Sequence, residues 1–422
     1  GDNVMLNQLF IAVPQNNATL TDRLPEIYLT TFNDKYIDSL VDIKMYVDNK
    51  KVFHKVHKNK IIYVPKKKLK SGKHDIKVFI KDFRRQIQEI QWSFTITTSS
   101  SKSDKYNFYY GIPHAHTSFS TGKGTPLEAF KYAYKKSLDF LIITDHSGFL
   151  SKKVKYNSNE ISRWNAVKIS SLYFANINKK FLPLYGFEVS SRGLGDFNIL
   201  NTINLYKNKI KNFKDFKAWL QKEKNPIVCI NHPHKYIESL QYDDVLDKYI
   251  NFIEVGNGSP PFKYLSGEKY YYKLLDKGWH LGAINGQDNH KENWGDTDNL
   301  TVVICKLLRY DEFFEALKSR RTYSTESRSL KLVFKANGKW MGSIIENNSN
   351  KMNLEIIAED KKVPINKIQI ISNGGIVVKK KSAHKKNKIK WNLSLPFKKG
   401  AWYVVKVIHV DGKVGISSPI FT

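Results

Sequence analysis

Short apolar runs that end in a histidine or an acidic residue, separated by stretches of helical character, constrain this chain more than any other feature. Tyr109-Tyr110-Gly111-Ile112, Phe140-Leu141-Ile142-Ile143-Thr144, Leu182-Pro183-Leu184-Tyr185-Gly186-Phe187, Ile227-Val228-Cys229-Ile230, Phe252-Ile253-Glu254-Val255 and Leu281-Gly282-Ala283-Ile284 have the length and composition of strands buried on both faces. Five of these runs lead into His114-Ala115-His116, Asp145-His146, Glu188, His232-Pro233-His234 and Asp288-Asn289-His290. Between them, Thr125-Pro126-Leu127-Glu128 combines an N-cap Thr, Pro at the first helical position and Glu three residues after the cap, which predicts a helix through Lys136. Residues 160–178, 213–224, 268–277 and 310–319 also read as helix. Such alternation predicts a parallel sheet, most simply a (β/α) barrel, in which residues at the C-terminal ends of successive strands meet. Imidazoles and ionised carboxylates are the side chains that hold a borderline or hard divalent cation, so the pattern points to a polynuclear metal site and a metallohydrolase. His-x-His and Asp-x-His at strand ends put both side chains on one face, which a lone core histidine does not require.

In order and content these segments resemble the polymerase and histidinol phosphatase (PHP) superfamily of metal-dependent phosphoesterases, over residues 106–326. The resemblance is carried by His114-Ala115-His116-Thr117-Ser118-Phe119-Ser120-Thr121-Gly122, by Thr144-Asp145-His146, by Gly186-Phe187-Glu188, by His232-Pro233 and by Asp288-Asn289-His290. It implies a distorted (β/α)7 barrel in which His114, His116 and Asp288 hold one metal, Glu188 bridges to a second held by His232, and His146 with His290 serves a third position. His146 and Asp145 would be catalytic, Asp145 either orienting a ligand imidazole or capping the next turn. The implied chemistry is a metal-activated hydroxide acting on a phosphomonoester or phosphodiester, with zinc, manganese or iron as the divalent ion. The chain departs from the family at Thr121, where His or Asp is usual, so two metals are expected, with a third weakly held or absent. Glu254 and Asn257 stand where several relatives have His, and Gly195-Asp196 stands where many have Gly-His, which leaves the role of Asp196 open.

Lys123 and Arg192 follow ligand positions in loops, which suits a substrate anion as well as it suits solvated loop charge. His234, displaced beyond His232-Pro233, either meets substrate or packs. His54, His57, His74, His280, His384 and His409 have no partner pattern and read as ordinary surface or core residues.

The flanks have a different texture. After an N-terminal arm (1–24), residues 25–98 alternate apolar and polar positions in short strands with turns at Asp48-Asn49 and Ser71-Gly72-Lys73, resembling an immunoglobulin-type β-sandwich without its paired cysteines. A Ser-rich linker (99–105) leads to the barrel. Residues 327–422 form a second β-rich block with hairpin signals at Asn337-Gly338 and Asp411-Gly412, and its Ser417-Ser418-Pro419-Ile420-Phe421 ending resembles the C-terminal sandwich of esterase-like PHP proteins. The expected architecture is therefore multidomain, α/β plus β.

At 422 residues the chain is too long for one core. It has no apolar run long enough to span a bilayer, and no signal peptide in the sequence as it stands, which starts without Met. Cys229 and Cys305 lie in buried runs and read as free thiols. The sandwich flanks favour a periplasmic or cell-surface location. The net charge of +30 is dominated by lysine. Lys66-Lys67-Lys68, Lys379-Lys380-Lys381 and Lys385-Lys386 read as solvated faces that would also attract an anionic surface polymer; nucleic acid is not expected as a specific partner. Three functions remain at this level: a phosphoesterase, a carboxylic or carbamate ester hydrolase on the same metals, and a catalytically idle surface binding protein. A phosphate substrate calls for cationic side chains near the metals, an aryl ester for an aromatic wall such as Tyr236, Phe262 and Trp294.

Overall fold

The computed structural model describes residues 10–31, 36–57, 59–98, 105–156 and 159–422. Nearly all of the Ser-rich linker and the first nine residues of the arm lie outside the described residues. Tertiary contacts divide the chain into two units, Gly1–Asp104 with Ser151–Lys179, and Lys105–Leu150 with Lys180–Thr422.

In the first unit, Phe10–Val13, Ile27–Thr31, Lys60–Tyr63 and Lys55–His57 make one sheet, and Ala18–Leu20, Ile87–Ile96, Gly72–Lys81, Asp42–Val47 and Lys50–Val52 make another. The alternation read from the sequence is the cause of the layering. Every second residue of Gly72–Lys81 from His74 onward is buried, and Ile76, Val78 and Ile80 share a core with Trp92, Phe94 and Ile96 of the neighbouring strand and Ile27, Leu29 and Ile61 of the other sheet. Asp48 and Asn49 both take left-handed conformations, with φ of 51° and 63°, and so close the hairpin between Asp42–Val47 and Lys50–Val52. Phe10–Val13 and Ala18–Leu20, from the stretch read as an arm, pair with Ile27–Thr31 and Ile87–Ile96. The remainder of this unit carries the helix Arg163–Ile177, capped by Ser162.

The second unit contains the strands that end in histidine and carboxylate. Asn107–Ile112, Phe140–Ile143 and Leu182–Ser191 run parallel, as do Ile227–Ile230, Ile250–Asn257 and Gly282–Gly286. Between the two sets lies Gly195–Leu200, antiparallel to both neighbours, and Leu300–Cys305 is antiparallel to Asn107–Ile112. The all-parallel seven-stranded barrel of the sequence reading thus gives way to a mixed sheet. The cause is local: residues 192–194 are too few to hold a crossover helix, and the loop from Gly286 to Leu300 holds none, whereas a parallel return requires a dozen or more residues and usually a helix. The far end of this sheet meets its start through side chains. Thr301 Oγ1 accepts from the Asn285 amide at 2.7 Å and donates to the Asn285 carbonyl at 2.9 Å, and Thr322 Oγ1 donates to the Ala283 carbonyl at 2.8 Å.

Helices Pro126–Lys135, Phe213–Lys222, Glu268–Asp276 and Tyr310–Lys318 fall where the sequence predicts them. The first is fixed by the expected capping box, with Thr125 Oγ1 accepting from the Glu128 amide and Glu128 Oε2 from the Thr125 amide, each at 3.2 Å. The C-terminal strands do not form an isolated block. Thr322–Thr325 pairs with Val414–Ser417, which continues the sheet into Trp402–His409, Ile365–Ser372 and Ile376–Lys386. A second sheet of Lys339–Trp340, Leu330–Ala336, Lys351–Asp360 and Lys388–Pro396 packs its buried residues into the same core. No helix among the described residues is long and apolar enough to cross a membrane.

Gly111 marks the closest approach of the first two parallel strands, since a Cβ there would lie 2.3 Å from the Phe140 carbonyl oxygen and 2.6 Å from its ring. Gly111→Ala is expected to destabilise the protein by about 1–3 kcal/mol through overpacking, read as a lower denaturant midpoint at unchanged slope.

Candidate metal centre

Backbone hydrogen bonds place the ligand-type residues before any side chain acts. The His116 amide donates to the Asn289 carbonyl at 3.0 Å and the Asp288 amide to the His114 carbonyl at 2.9 Å, so the His-Ala-His and Asp-Asn-His segments are stitched together. The Thr144 amide donates to Ala115, that of Glu188 to Asp145 and that of Asn231 to Asp196, which carries the registration across five strand ends. Strand alternation turns Ala115 one way and both flanking imidazoles the other. His232 and Asp288 hold φ values of 25° and 51°, a region that side-chain-bearing residues seldom occupy. The His232 amide is held there by Glu254 Oε1 at 2.8 Å. Backbone strain concentrated at convergent polar residues is characteristic of functional sites.

Glu188 lies at the middle of the resulting cluster, only 2% exposed. Its Oε1 is 3.1 Å from His116 Nε2 and 3.4 Å from His146 Nδ1, and its Oε2 is 3.4 Å from His114 Nε2 and 3.3 Å from His232 Nε2. Asp288 Oδ1 stands 3.1 Å from His114 Nε2 and 3.0 Å from His116 Nε2. The His290 ring stacks on that of His116 at 4.4 Å, and His146 lies 4.6 Å from His116 on the same measure. Three groups have ligand atoms mutually close enough for one cation: His114, His116, Glu188 and Asp288; Glu188, Asp196 and His232; and His116, His146 and His290.

The donor set fits a cation. His114 Nε2, His116 Nε2 and Asp288 Oδ1 are buried without a hydrogen-bond partner, although they face one another. Orphaned buried polar atoms of this kind are costly unless something else satisfies them. The opposite ring nitrogens are spoken for. His114 Nδ1 contacts Glu254 Oε2 at 3.1 Å, and His116 Nδ1 contacts Ser120 Oγ at 3.2 Å. A proton kept at Nδ1 by these partners leaves the Nε2 lone pair facing the cluster, the tautomer a metal needs.

The supporting groups are themselves anchored. Asp145, fully buried, accepts from the Thr117 amide at 2.8 Å, Thr117 Oγ1 at 2.6 Å and Ser120 Oγ at 2.5 Å. It therefore caps the turn after His116 and, through Ser120, sets the His116 ring, so the two alternatives raised by its sequence position coexist. Glu254 accepts from both His114 and the Asn257 amide nitrogen, at 3.0 Å for the latter. A Cβ on Gly286 would meet Glu254 Oε2 at 1.9 Å, which is why that position has no side chain. Asn231 Nδ2 donates to Glu188 Oε2 at 2.8 Å and to Asn198 Oδ1 at 2.9 Å. Asn231, Asn198 and Ser120 were not singled out from the sequence. The signals were position, Asn231 directly before His232 and Ser120 four residues after His116, which fix no role without the fold.

The substrate-binding candidates stand outside this cluster. Lys123, Arg192 and His234 are exposed, and among the described residues none makes a hydrogen bond or ion pair with it. Of the aromatic candidates, Trp294 is buried and donates Nε1 to the His116 carbonyl at 3.1 Å, a packing role. Phe262 is exposed and meets the His290 ring edge-on at 5.3 Å, and Tyr236 lies against Gly195, its ring 5.5 Å from that of His234. His74, His280 and His409, read as ordinary residues, pair with Asp48, Asp247 and Asp360.

No protein-family profile matches the chain. No curated protein matches it. Among solved structures, it is similar to a two-domain protein from Bacteroides vulgatus containing a predicted PHP-like metal-dependent phosphoesterase, at 19% identity over 75% of this chain and 96% of that one, with a TM-score of 0.45. It is also similar to PsfC from Pseudomonas syringae, at 15% identity over 51% of this chain and 90% of that one, with a TM-score of 0.35. The clustered His, Glu and Asp side chains of this chain could hold metal ions.

Electrostatics tie the cluster to pH. Burial opposes charging His116, but Asp288 and Glu188 outweigh it and raise its pKa to about 9; at His232 burial is outweighed mainly by Glu188, again to about 9. Burial likewise raises Glu188 and Asp288, but the imidazoles, His114 foremost, win and hold both well below the ordinary carboxylate range. Raised histidines contribute stability that is complete below the unfolded value of about 6.5 and is lost as pH rises through about 9. Metal-free protein is therefore expected to lose thermal stability between these pH values, and saturating Mn or Zn to raise Tm most at the upper end, because the cation replaces the departing protons. A calorimetric pH series with and without metal checks this. Glu254→Gln, which weakens the grip on His114, is expected to lower metal affinity by about 10–100-fold in a titration.

Proposed function

We propose that this protein is a metal-dependent hydrolase whose substrate is a phosphomonoester or phosphodiester. The observation that carries this reading is the Glu188 carboxylate, whose two oxygens face four imidazoles at 3.1–3.4 Å next to three buried polar atoms that lack partners. His114, His116, Glu188 and Asp288 would hold one divalent ion, Glu188 and His232 a second, and His146 with His290 a weaker third. When bound, zinc, manganese or iron would supply Lewis acidity and lower the pKa of a coordinated water. The chain's own residues contribute the rest. Glu254 and Ser120 fix the tautomers of His114 and His116, and Asp145 keeps the 117–120 turn from shifting under them. His146 and His290 are partly exposed and burial lowers their pKa values, with His116 adding to the effect at both and Glu188 opposing it at His146. Where no third ion is bound, they are the imidazoles on the solvent side able to accept or return a proton. Arg192 and Lys123 would act as mobile anion contacts from the loops rather than as fixed clamps.

The exposed Phe262 ring against His290, together with the lack of a cationic side chain in contact with the cluster among the described residues, favours a second reading on the same metals. A carboxylic or carbamate ester has less anionic charge to neutralise than a phosphate and gains from an apolar rim. The sandwich strands, with the lysine runs at 66–68, 379–381 and 385–386, are proposed as extracytoplasmic positioning modules for either substrate.

His114→Ala and Asp288→Ala are each expected to abolish hydrolysis of aryl phosphate monoesters, diesters and carboxylic esters in the presence of Mn or Zn, with the circular dichroism spectrum unchanged. Retained turnover in both variants would remove the metal-site assignment. Turnover of the carboxylic ester alone would select the second reading.

A further inference from the structure

Ile376–Lys386 is the outermost strand of its sheet, and of its 11 residues only Ala383 is buried. Ile376, Val377 and Val378 at its start are 62%, 41% and 43% exposed, while the adjacent strand Ile365–Ser372 sends Ile368, Ile370 and Ile371 into the interior. Three consecutive aliphatic side chains in water form a patch, unlike the scattered apolar residues that any surface carries. Lys379-Lys380-Lys381 follows directly, and all three are exposed. A second segment closes on the same place. Asn373, just before the patch, donates Nδ2 to the Gly400 carbonyl at 3.3 Å and accepts the Trp402 amide at Oδ1 at 3.1 Å. These bonds bring the turn that carries the exposed Lys398 and Lys399 to the start of the strand. The patch therefore has lysines from two separate segments around it.

The charge here is uncompensated. From Lys361 to Gly400 the sequence holds twelve lysines and no acidic residue. Acids that reach this part of the sandwich from the helix Glu268–Asp276 are engaged: Glu268 pairs with Lys406, and Asp276 accepts from the Gly374 amide and from Trp402 Nε1, each at 3.0 Å. Among the described residues none of the five lysines forms an ion pair, whereas Lys406 and Lys413 nearby in sequence do. An open strand edge invites another strand, and lysines and bulges are the usual means of preventing that. Both are present. The register shifts between Ile370 and Ile371, which pair with Lys379 and Val377 and leave Val378 unpaired, and it shifts again between Ile365 and Lys367. A peptide strand would meet a broken ladder, and a second copy of this edge would also meet like charge. A soluble polyanion would satisfy the lysines and leave the aliphatic patch in water. A bilayer answers both, with headgroups at the lysines and the acyl boundary at the aliphatic side chains.

We propose that residues 376–378, with Lys379, Lys380, Lys381, Lys398 and Lys399 around them, dock this protein on an anionic lipid surface. This inference deepens the positioning role proposed above for the sandwich strands and names its partner. The patch belongs to the same compact unit as the metal cluster. Its first turn is also bonded to the helix Glu268–Asp276 through Gly374 and Asp276. That helix follows the strand Ile250–Asn257, which carries Glu254. Docking thus holds the cluster at the membrane surface without any segment crossing the bilayer.

The test is co-sedimentation of the full chain with vesicles of phosphatidylcholine alone and of phosphatidylcholine mixed equally with phosphatidylglycerol, at low salt and at about 1 M salt, where charge is screened beyond about 3 Å. Binding is expected to the anionic vesicles and not to the neutral ones. The combined change Lys379→Gln, Lys380→Gln and Lys381→Gln should weaken it by about 100-fold. The pair Ile376→Ser and Val378→Ser should remove the part that survives high salt. All five positions are exposed, so folding is expected to hold, and a thermal melt on the same samples verifies this. No binding to anionic vesicles would overturn the proposal. Binding to heparin as tight as to vesicles, and unaffected by Ile376→Ser and Val378→Ser, would replace the lipid surface with an anionic polymer. Lysine variants that self-associate while still binding vesicles would reduce the lysines to guards of the strand edge. Hydrolysis of a soluble aryl ester by the same samples reads the metal centre separately, and none of these substitutions is expected to change it.

Discussion

A carboxylate removed from water and surrounded by imidazoles is the interaction on which the rest of this structure depends. Glu188 would be untenable at its depth without the positive potential of His114, His116 and His232. Those rings are equally untenable without acids, and Asp288 and Glu254 supply them. The arrangement is one that either protons or cations can satisfy, and it holds only if the ring positions are set to within a fraction of an ångström. That requirement explains why the His114 and His116 rings are gripped from behind, at Nδ1, by Glu254 and Ser120, and why Gly286 is bare of a side chain.

Much of the site was legible in the sequence because its residues come in pairs with spacing that the strand geometry interprets. His114 and His116, and Asp288 and His290, announce a shared face by alternation alone. The helices were legible for similar reasons: Thr125-Pro126-Leu127-Glu128 is a local signal that needs no tertiary context. What escaped the sequence is what depends on contact between distant segments. Glu254 was recognised as a candidate for the second metal, yet it lies behind His114 because the Ile250–Asn257 strand sits where it does. Asn231 and Asn198 join across strands whose pairing is antiparallel, and antiparallel pairing was itself missed, since a three-residue turn at 192–194 inside a run of βα units is easily read as part of a longer loop.

That same turn has a consequence for the chemistry. An all-parallel sheet brings ligands together only at strand ends, one or two to a strand. The hairpin adds a strand running the opposite way, so carboxylates from mid-strand positions reach the cluster beside those from the ends. Phe262 and Tyr236 stand near opposite ends of the row, one on His290 and the other on Gly195.

The hydroxyl of Ser418 accepts from the Ala283 amide and contacts Thr322 Oγ1, while Tyr271 donates to the Ser417 carbonyl. The strand that delivers Asp288 is thus latched by a segment 135 residues further along the chain. Loop closure over such a span is slow compared with formation of the local helices. The wall that holds Asp288 beside Glu188 is therefore closed by sequence-distant partners, so a change at Ser418, which touches no ligand, would loosen the strand that leads to Asp288.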